Sequence, residues 1–283
     1  MLILRLYQID AFTRQVFGGN PAAVCPLEAW PDDGTLQAIA SENNLSETAF
    51  FSPEGGPGGR SFRLRWFAPR KEVSLCGHAT LASAFVLFNE LGYREEVVRF
   101  ETMSGELRVR RDGELLGMDF PAKQLEPALD RAAALLDALH VAPSQVFAVV
   151  PGRTLVAVYE DEETVRLIRP DFNRLAELSG PVAITAPGRD SDCASRFFYP
   201  AAGLPEDPVT GSVHCSLVPY WAARLGKKSI HARQVSPRGG ELFCEDLGER
   251  VIIAGHAVKY MEGTTALPVA CSVPTAPRGP NTG

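Results

Sequence analysis

The chain has 283 residues, 45% of them apolar and 22% charged, with a net charge of −6. This composition excludes a mainly disordered, fibrous or collagen-like chain. The acidic balance excludes a general nucleic-acid binder, which carries a basic surplus. The length favours two domains whose cores need no disulfide or metal staple.

In chain order, an alternating run over Ile3–Phe12 predicts a first strand. Charge enters it too early for a signal peptide. No later stretch holds the roughly 20 apolar residues of a membrane helix, so a cytoplasmic protein with no membrane partner is expected. A short amphipathic helix is predicted over Thr35–Asn44. Strands follow over Glu47–Ser52 and Phe62–Phe67, joined by a flexible hairpin tip at Gly55–Gly59. Ala79–Leu91 is apolar on nearly every side and predicts a buried helix. Strands over Val97–Thr102, Glu106–Arg110 and Leu115–Asp119 complete a β-rich half. Pro121–Pro127 reads as a linker, and Pro127–Leu139 as a surface helix with proline in its first turn.

In the second half, strands are predicted over Val146–Val149, Thr154–Val158, Val182–Ala186 and Ala194–Tyr199. After them comes a mostly apolar helix over Val213–Leu225, with Pro219 inside it. Further strands are predicted over Gln234–Ser236, Gly240–Cys244, Arg250–Ala254 and Ala257–Glu262. The expected domains are 1–122 and 126–270, with a flexible Pro- and Gly-rich tail over 271–283. The six cysteines are dispersed, with no Cys-x-x-Cys pair. In a cytosolic chain they read as free thiols, and no metal site is expected.

The middle of the chain repeats itself. Arg65-Trp66-Phe67-Ala68-Pro69 is similar to Arg196-Phe197-Phe198-Tyr199-Pro200: each is an aromatic strand stopped by proline. A loop, a glycine and an apolar helix follow each one. Cys76-Gly77-His78 runs to Gly92 with the same spacing as Thr210-Gly211-Ser212 to Gly226. Glycine before the first turn bares backbone N–H groups at the positive end of the helix dipole. Two such ends facing each other would bind a small anion. The plainer reading of each is a cap on a core helix.

Five ordered motifs then carry a family resemblance: Phe17-Gly18-Gly19-Asn20-Pro21-Ala22-Ala23-Val24, Asn44-Leu45-Ser46-Glu47-Thr48-Ala49-Phe50, Cys76-Gly77-His78-Ala79-Thr80, Glu206-Asp207-Pro208-Val209-Thr210-Gly211-Ser212 and Ser236-Pro237-Arg238-Gly239-Gly240. Together, over Leu4 to about Leu267, they resemble the PhzF-like (phenazine-biosynthesis-like) isomerase family, with Gly-His-Ala-Thr where the phenazine enzyme has Gly-His-Pro-Thr. The resemblance implies an α+β, diaminopimelate-epimerase-like fold: two similar β-barrel-like domains, each wrapped around a central helix, with the active site in the cleft between them. It also implies a homodimer that needs no metal or organic cofactor, and a reaction that moves a proton between ring carbons.

Such a reaction needs a group that accepts and returns a proton near neutral pH, and stabilisation of the charge left behind. Glu47 matches the family's catalytic glutamate, and its apolar neighbours Thr48-Ala49-Phe50-Phe51 would raise its pKa. His78, Asp207 and Ser212 are the other expected catalytic residues. Asn20, Gly77, Thr210 and Gly211 are expected to bind a small anionic substrate. Arg238 is either structural or site-lining. His140, His231 and His256 have no metal-ligand spacing, and His214 reads as packed on the second helix. Two alternatives stay open. One is a one-base epimerase or dehydratase using Cys76, because Thr210 stands where a two-thiol mechanism needs its second cysteine. The other is a non-catalytic binding protein on the same scaffold.

Overall fold

The computed structural model describes residues 1–55, 59–178 and 180–267. Most of the expected hairpin tip and the whole expected tail lie outside these residues. The first half contains β1 (Leu2–Ala11), β2 (Asn20–Pro26), α1 (Asp33–Asn43), β3 (Glu47–Pro53), β4 (Ser61–Ala68), β5 (Lys71–Val73), α2 (Gly77–Phe85), β6 (Val97–Thr102), β7 (Gly105–Asp112) and β8 (Leu115–Pro121). A short strand, β9 (Gln124–Pro127), and α3 (Ala132–Leu139) lead into the second half. There follow β10 (Gln145–Val150), β11 (Leu155–Val158), α4 (Glu162–Leu167), α5 (Phe172–Glu177), β12 (Val182–Pro187), β13 (Cys193–Tyr199) and β14 (Leu204–Asp207). The chain continues through α6 (Gly211–Leu225), β15 (Ser229–Gln234), β16 (Gly240–Asp246), β17 (Arg250–Gly255) and β18 (Ala257–Leu267).

The pairings repeat. β2–β3 and β4–β6 are parallel in the first half, as are β11–β12 and β13–β15 in the second. β6–β7–β8 and β15–β16–β17 are matching antiparallel runs. The two halves join where β8 pairs antiparallel with β17. β9 pairs with β10, and β18 returns to pair with β1. The chain forms the diaminopimelate-epimerase-like fold.

Each half wraps a helix. Residues 78–84 of α2 are all buried, consistent with its lack of a polar face, and the helix continues into a π-turn over Val86–Glu90. In α6, Pro219 has no N–H to give the Cys215 carbonyl. Lys123 N–H, in the segment between the halves, takes that carbonyl at 2.9 Å. The helix-breaking residue thereby anchors the crossover.

Some expectations need correcting. Pro127 ends β9, opposite Phe147, and does not open a helix; α3 starts at Ala132 after a 3-10 turn over Leu129–Arg131. The predicted strand over Gln234–Ser236 lies earlier, at Ser229–Gln234. The second half carries three outer helices, α3 to α5, packed on a separate cluster that includes Leu135, Leu139, Val165, Ile168 and Leu175.

Candidate active site

α2 and α6 approach each other through the central core, and the first turns of both open toward residues from both halves. On the α2 side, β3 starts at Glu47, beside Ala22 of the parallel strand β2. This register carries the Glu47 carboxylate to His78, with Oε2 3.3 Å from Nε2. Cys76 Sγ lies 3.5 Å from His78 Nδ1. Burial pushes Glu47 up to about 7, the charge of Asp207 adds to the rise, and a hydrogen bond from Cys76 holds it back. Burial drives His78 down to about 3, so its ring is neutral at pH 7. Burial also pushes the Cys76 thiol well up, keeping it protonated beside Glu47. Donor atoms of Glu47, Cys76 and His78 lie within 4.8 Å of one another, a donor set zinc could use once the thiol lost its proton.

On the α6 side, β14 ends at Asp207, which is buried. Asn20 Nδ2 donates to Asp207 Oδ1 at 2.8 Å and to the Val209 carbonyl at 2.9 Å. The Thr210 hydroxyl donates to Asp207 Oδ2 at 2.5 Å. Burial pushes Asp207 up to about 6, against the lowering effect of these two donors. The α6 end repeats the α2 end closely. Thr80 Oγ1 donates to the Cys76 carbonyl at 2.6 Å, and His214 Nδ1, at the matching position, donates to the Thr210 carbonyl at 2.7 Å.

Five of the eight expected site residues belong to one of two polar groups: Glu47 and His78 on one side, Asn20, Asp207 and Thr210 on the other, while Gly77 opens α2. Gly211 opens α6, and Ser212 stands exposed beside it, apart from the buried network. Neither helix-opening glycine is required by the protein's own packing. A Cβ on Gly77 would first meet Met118 Cε at 3.9 Å, and one on Gly211 would meet Phe12 Cζ at 3.7 Å, both ordinary contacts.

Arg238 resolves as a brace between the halves. Its guanidinium donates to the carbonyls of Gly18 and Gly19 and to Asp10 Oδ1, each at 2.9 Å, which fixes the loop that ends in Asn20. Three further residues escape the sequence reading. Phe12 is fully buried at φ 63° and fills a hollow that depends on Gly255, where a Cβ would lie 2.4 Å from Phe12 Cδ1. Asp10, buried, accepts from Phe17 N–H as well as Arg238. Gln234 is buried among Thr210 and the Asp207 backbone. Alternating patterns do not single out any of these three. Gly240 and Gly255 are the signals that could have found this region, because a Cβ on Gly240 would strike Val209 and one on Gly255 would strike Phe12.

Residues 9–263 match the family described as phenazine biosynthesis-like protein (PhzC-PhzF). The chain is 52% identical to an uncharacterised isomerase of Pseudomonas aeruginosa, over 93% of this chain and 99% of that one. Its structure is similar to a crystal structure of a PhzF-family phenazine biosynthesis protein from Enterococcus faecalis, with a TM-score of 0.88 and 45% identity over 94% of this chain and 100% of that one. A probable proline racemase from Agrobacterium radiobacter shares the fold at 13% identity, with a TM-score of 0.62 over 96% of this chain and 94% of that one. The five motifs, the duplicated fold and these matches agree: the chain belongs to the phenazine biosynthesis-like (PhzF) family of isomerases.

Proposed function

We propose that the protein moves a proton between carbons of a small, carboxylate-bearing cyclic metabolite without a cofactor, in the cleft between halves 1–122 and 126–270. The observation that carries this reading is the environment of Glu47. A carboxyl group raised to about 7 beside a neutral imidazole exists in both protonation states at neutral pH. It can take a proton from one carbon and return it to another, because neither state is strongly favoured. Neutral His78 orients the carboxylate and is positioned to pass hydrogen bonds to the substrate.

Across the cleft, Asp207, Asn20, Thr210 and Ser212 hold the substrate's polar substituents. The bare N-termini of α2 and α6, at Gly77 and Gly211, receive its carboxylate. The family resemblance supports a reaction like that of trans-2,3-dihydro-3-hydroxyanthranilate isomerase and a homodimeric assembly. No described helix is long and apolar enough to cross a membrane, and we place the protein in the cytoplasm.

The test is deuterium exchange from D₂O into a panel of cyclic amino- and hydroxy-carboxylates, comparing wild type with Glu47→Gln and Cys76→Ser. The expected outcome is exchange at a carbon position that the Glu47 variant abolishes and the Cys76 variant retains. Exchange that survives Glu47→Gln and vanishes in Cys76→Ser would instead assign a one-base epimerase or dehydratase. A compound that binds the cleft with no exchange in any protein would favour a binding role.

A further inference from the structure

β15 delivers Gln234 to the Asp207 end of the cleft, where it is 1% exposed. Its Oε1 accepts from Thr210 N–H at 2.9 Å, and its Nε2 donates to the Asp207 carbonyl at 2.6 Å. A backbone N–H only donates and a backbone carbonyl only accepts, so these two bonds fix which end of the amide is which. The same Nε2 lies 3.2 Å from Thr210 Oγ1 and donates to it. The Thr210 hydroxyl, already accepting from Gln234, gives its own proton to Asp207 Oδ2. Asn20 Nδ2 donates to the other oxygen, Oδ1. Both carboxylate oxygens of Asp207 are thus acceptors, the state that suits an ionised group.

We propose that Gln234 is a positioning residue that sets the direction of the Thr210 hydroxyl and thereby keeps Asp207 ionised in a buried site. The proposal rests on the reading of Asp207 as a substrate-facing group. The charged and titratable groups facing Asp207 are few. Glu206 adjoins it on β14, with its charge taken by Arg196 at 2.8 Å. Glu47 on β3 and Cys76 before α2 sense its charge across the cleft. His214 on α6 is turned to the Thr210 carbonyl.

The test is a carbon-13 NMR titration of protein labelled at the Asp and Glu carboxyl carbons. The Asp207 signal is assigned with Asp207→Asn. Gln234→Met removes the donating amide without adding a charge beside Asp207. Thr210→Val removes the hydroxyl while leaving the backbone bonds of Gln234 in place, which covers failure of the first variant to fold. Both variants are expected to raise the Asp207 midpoint by at least one pH unit. Thr210→Ser is expected to restore it. An Asp207 midpoint unchanged in both variants overturns the proposal, whatever reaction the protein catalyses. A shifted midpoint with unimpaired proton exchange upholds it and overturns the functional reading of Asp207.

Discussion

The N-termini of α2 and α6 are built on one plan and loaded differently. Each starts from a residue with extended backbone, Cys76 or Thr210, and neither side chain caps its own helix. Each has a glycine next, and a side chain four residues on that returns a hydrogen bond to the first carbonyl. The buried carboxylates differ in what surrounds them. Asp207 has a donor on each oxygen and is held to about 6. Glu47 meets a thiol and a neutral ring beside the charge of Asp207, and reaches about 7. Burial raises both; the two donors on Asp207 favour its charged form and make it the fixed side of the proposed reaction, with Glu47 the mobile side.

Breaking the mobile side should have the largest effect. Glu47→Gln is expected to cut proton exchange by roughly 10²–10⁴-fold with the fold retained, as read by isotope exchange alongside circular dichroism. Asp207→Asn attacks the fixed side and moves the pH profile. Removing the neighbouring negative charge lowers Glu47 below about 7, so the rise of activity with pH, which follows ionisation of Glu47, shifts to lower pH. A rise that stays near 7 would contradict this coupling.

A stability measurement separates burial from chemistry. The folded value of Glu47 lies above its unfolded value of about 4.5, so its protonated form favours folding. Wild type therefore loses stability relative to Glu47→Gln as pH rises from about 4.5 to about 7. Urea titrations should show the difference changing by roughly 3 kcal/mol across that range. The smallest expected effects come from Gly77→Ala and Gly211→Ala. Packing tolerates a methyl at both positions, so stability should be unchanged or slightly raised. The binding constant for substrate should weaken about fivefold, the worth of one impaired backbone hydrogen bond. Weakening at only one glycine would place the substrate anion on one helix rather than between two.

Much of this symmetry is legible in the sequence, because it resides in local signals. Proline stops an aromatic strand, glycine precedes an apolar run, and the spacing to the next glycine is the same in both halves. Glu47, His78, Asn20, Asp207 and Thr210 are named by their motifs, and the structure pairs Glu47 with His78 and joins Asn20 and Thr210 to Asp207. The short elements were not legible. β5, β9 and β14 have three or four residues, too few for alternation to register. β2 is framed by Pro21 and Pro26, which mask it as a loop. α4 and α5 could have been found from the capping aspartates Asp161 and Asp171. Gln234 was hidden for a different reason. Its role depends on a hydrogen-bond direction set by Thr210 and Asp207, from elsewhere in the chain, and no period reports that.

The return of β18 to β1 has a consequence for how the chain matures. β1 is flanked by β2 on one side and β18 on the other, and Phe12, just past its end, fills a hollow bounded by Gly255. The amino-terminal half, although it precedes the other, thus acquires its last strand from residues 257–267, made only after β10 to β17. Until then its opening strand presents a bare edge of the kind that pairs promiscuously. β10, by contrast, finds both neighbours, β9 and β11, within a few dozen residues. Vectorial synthesis therefore reverses the order of the halves: the one that begins first is completed last.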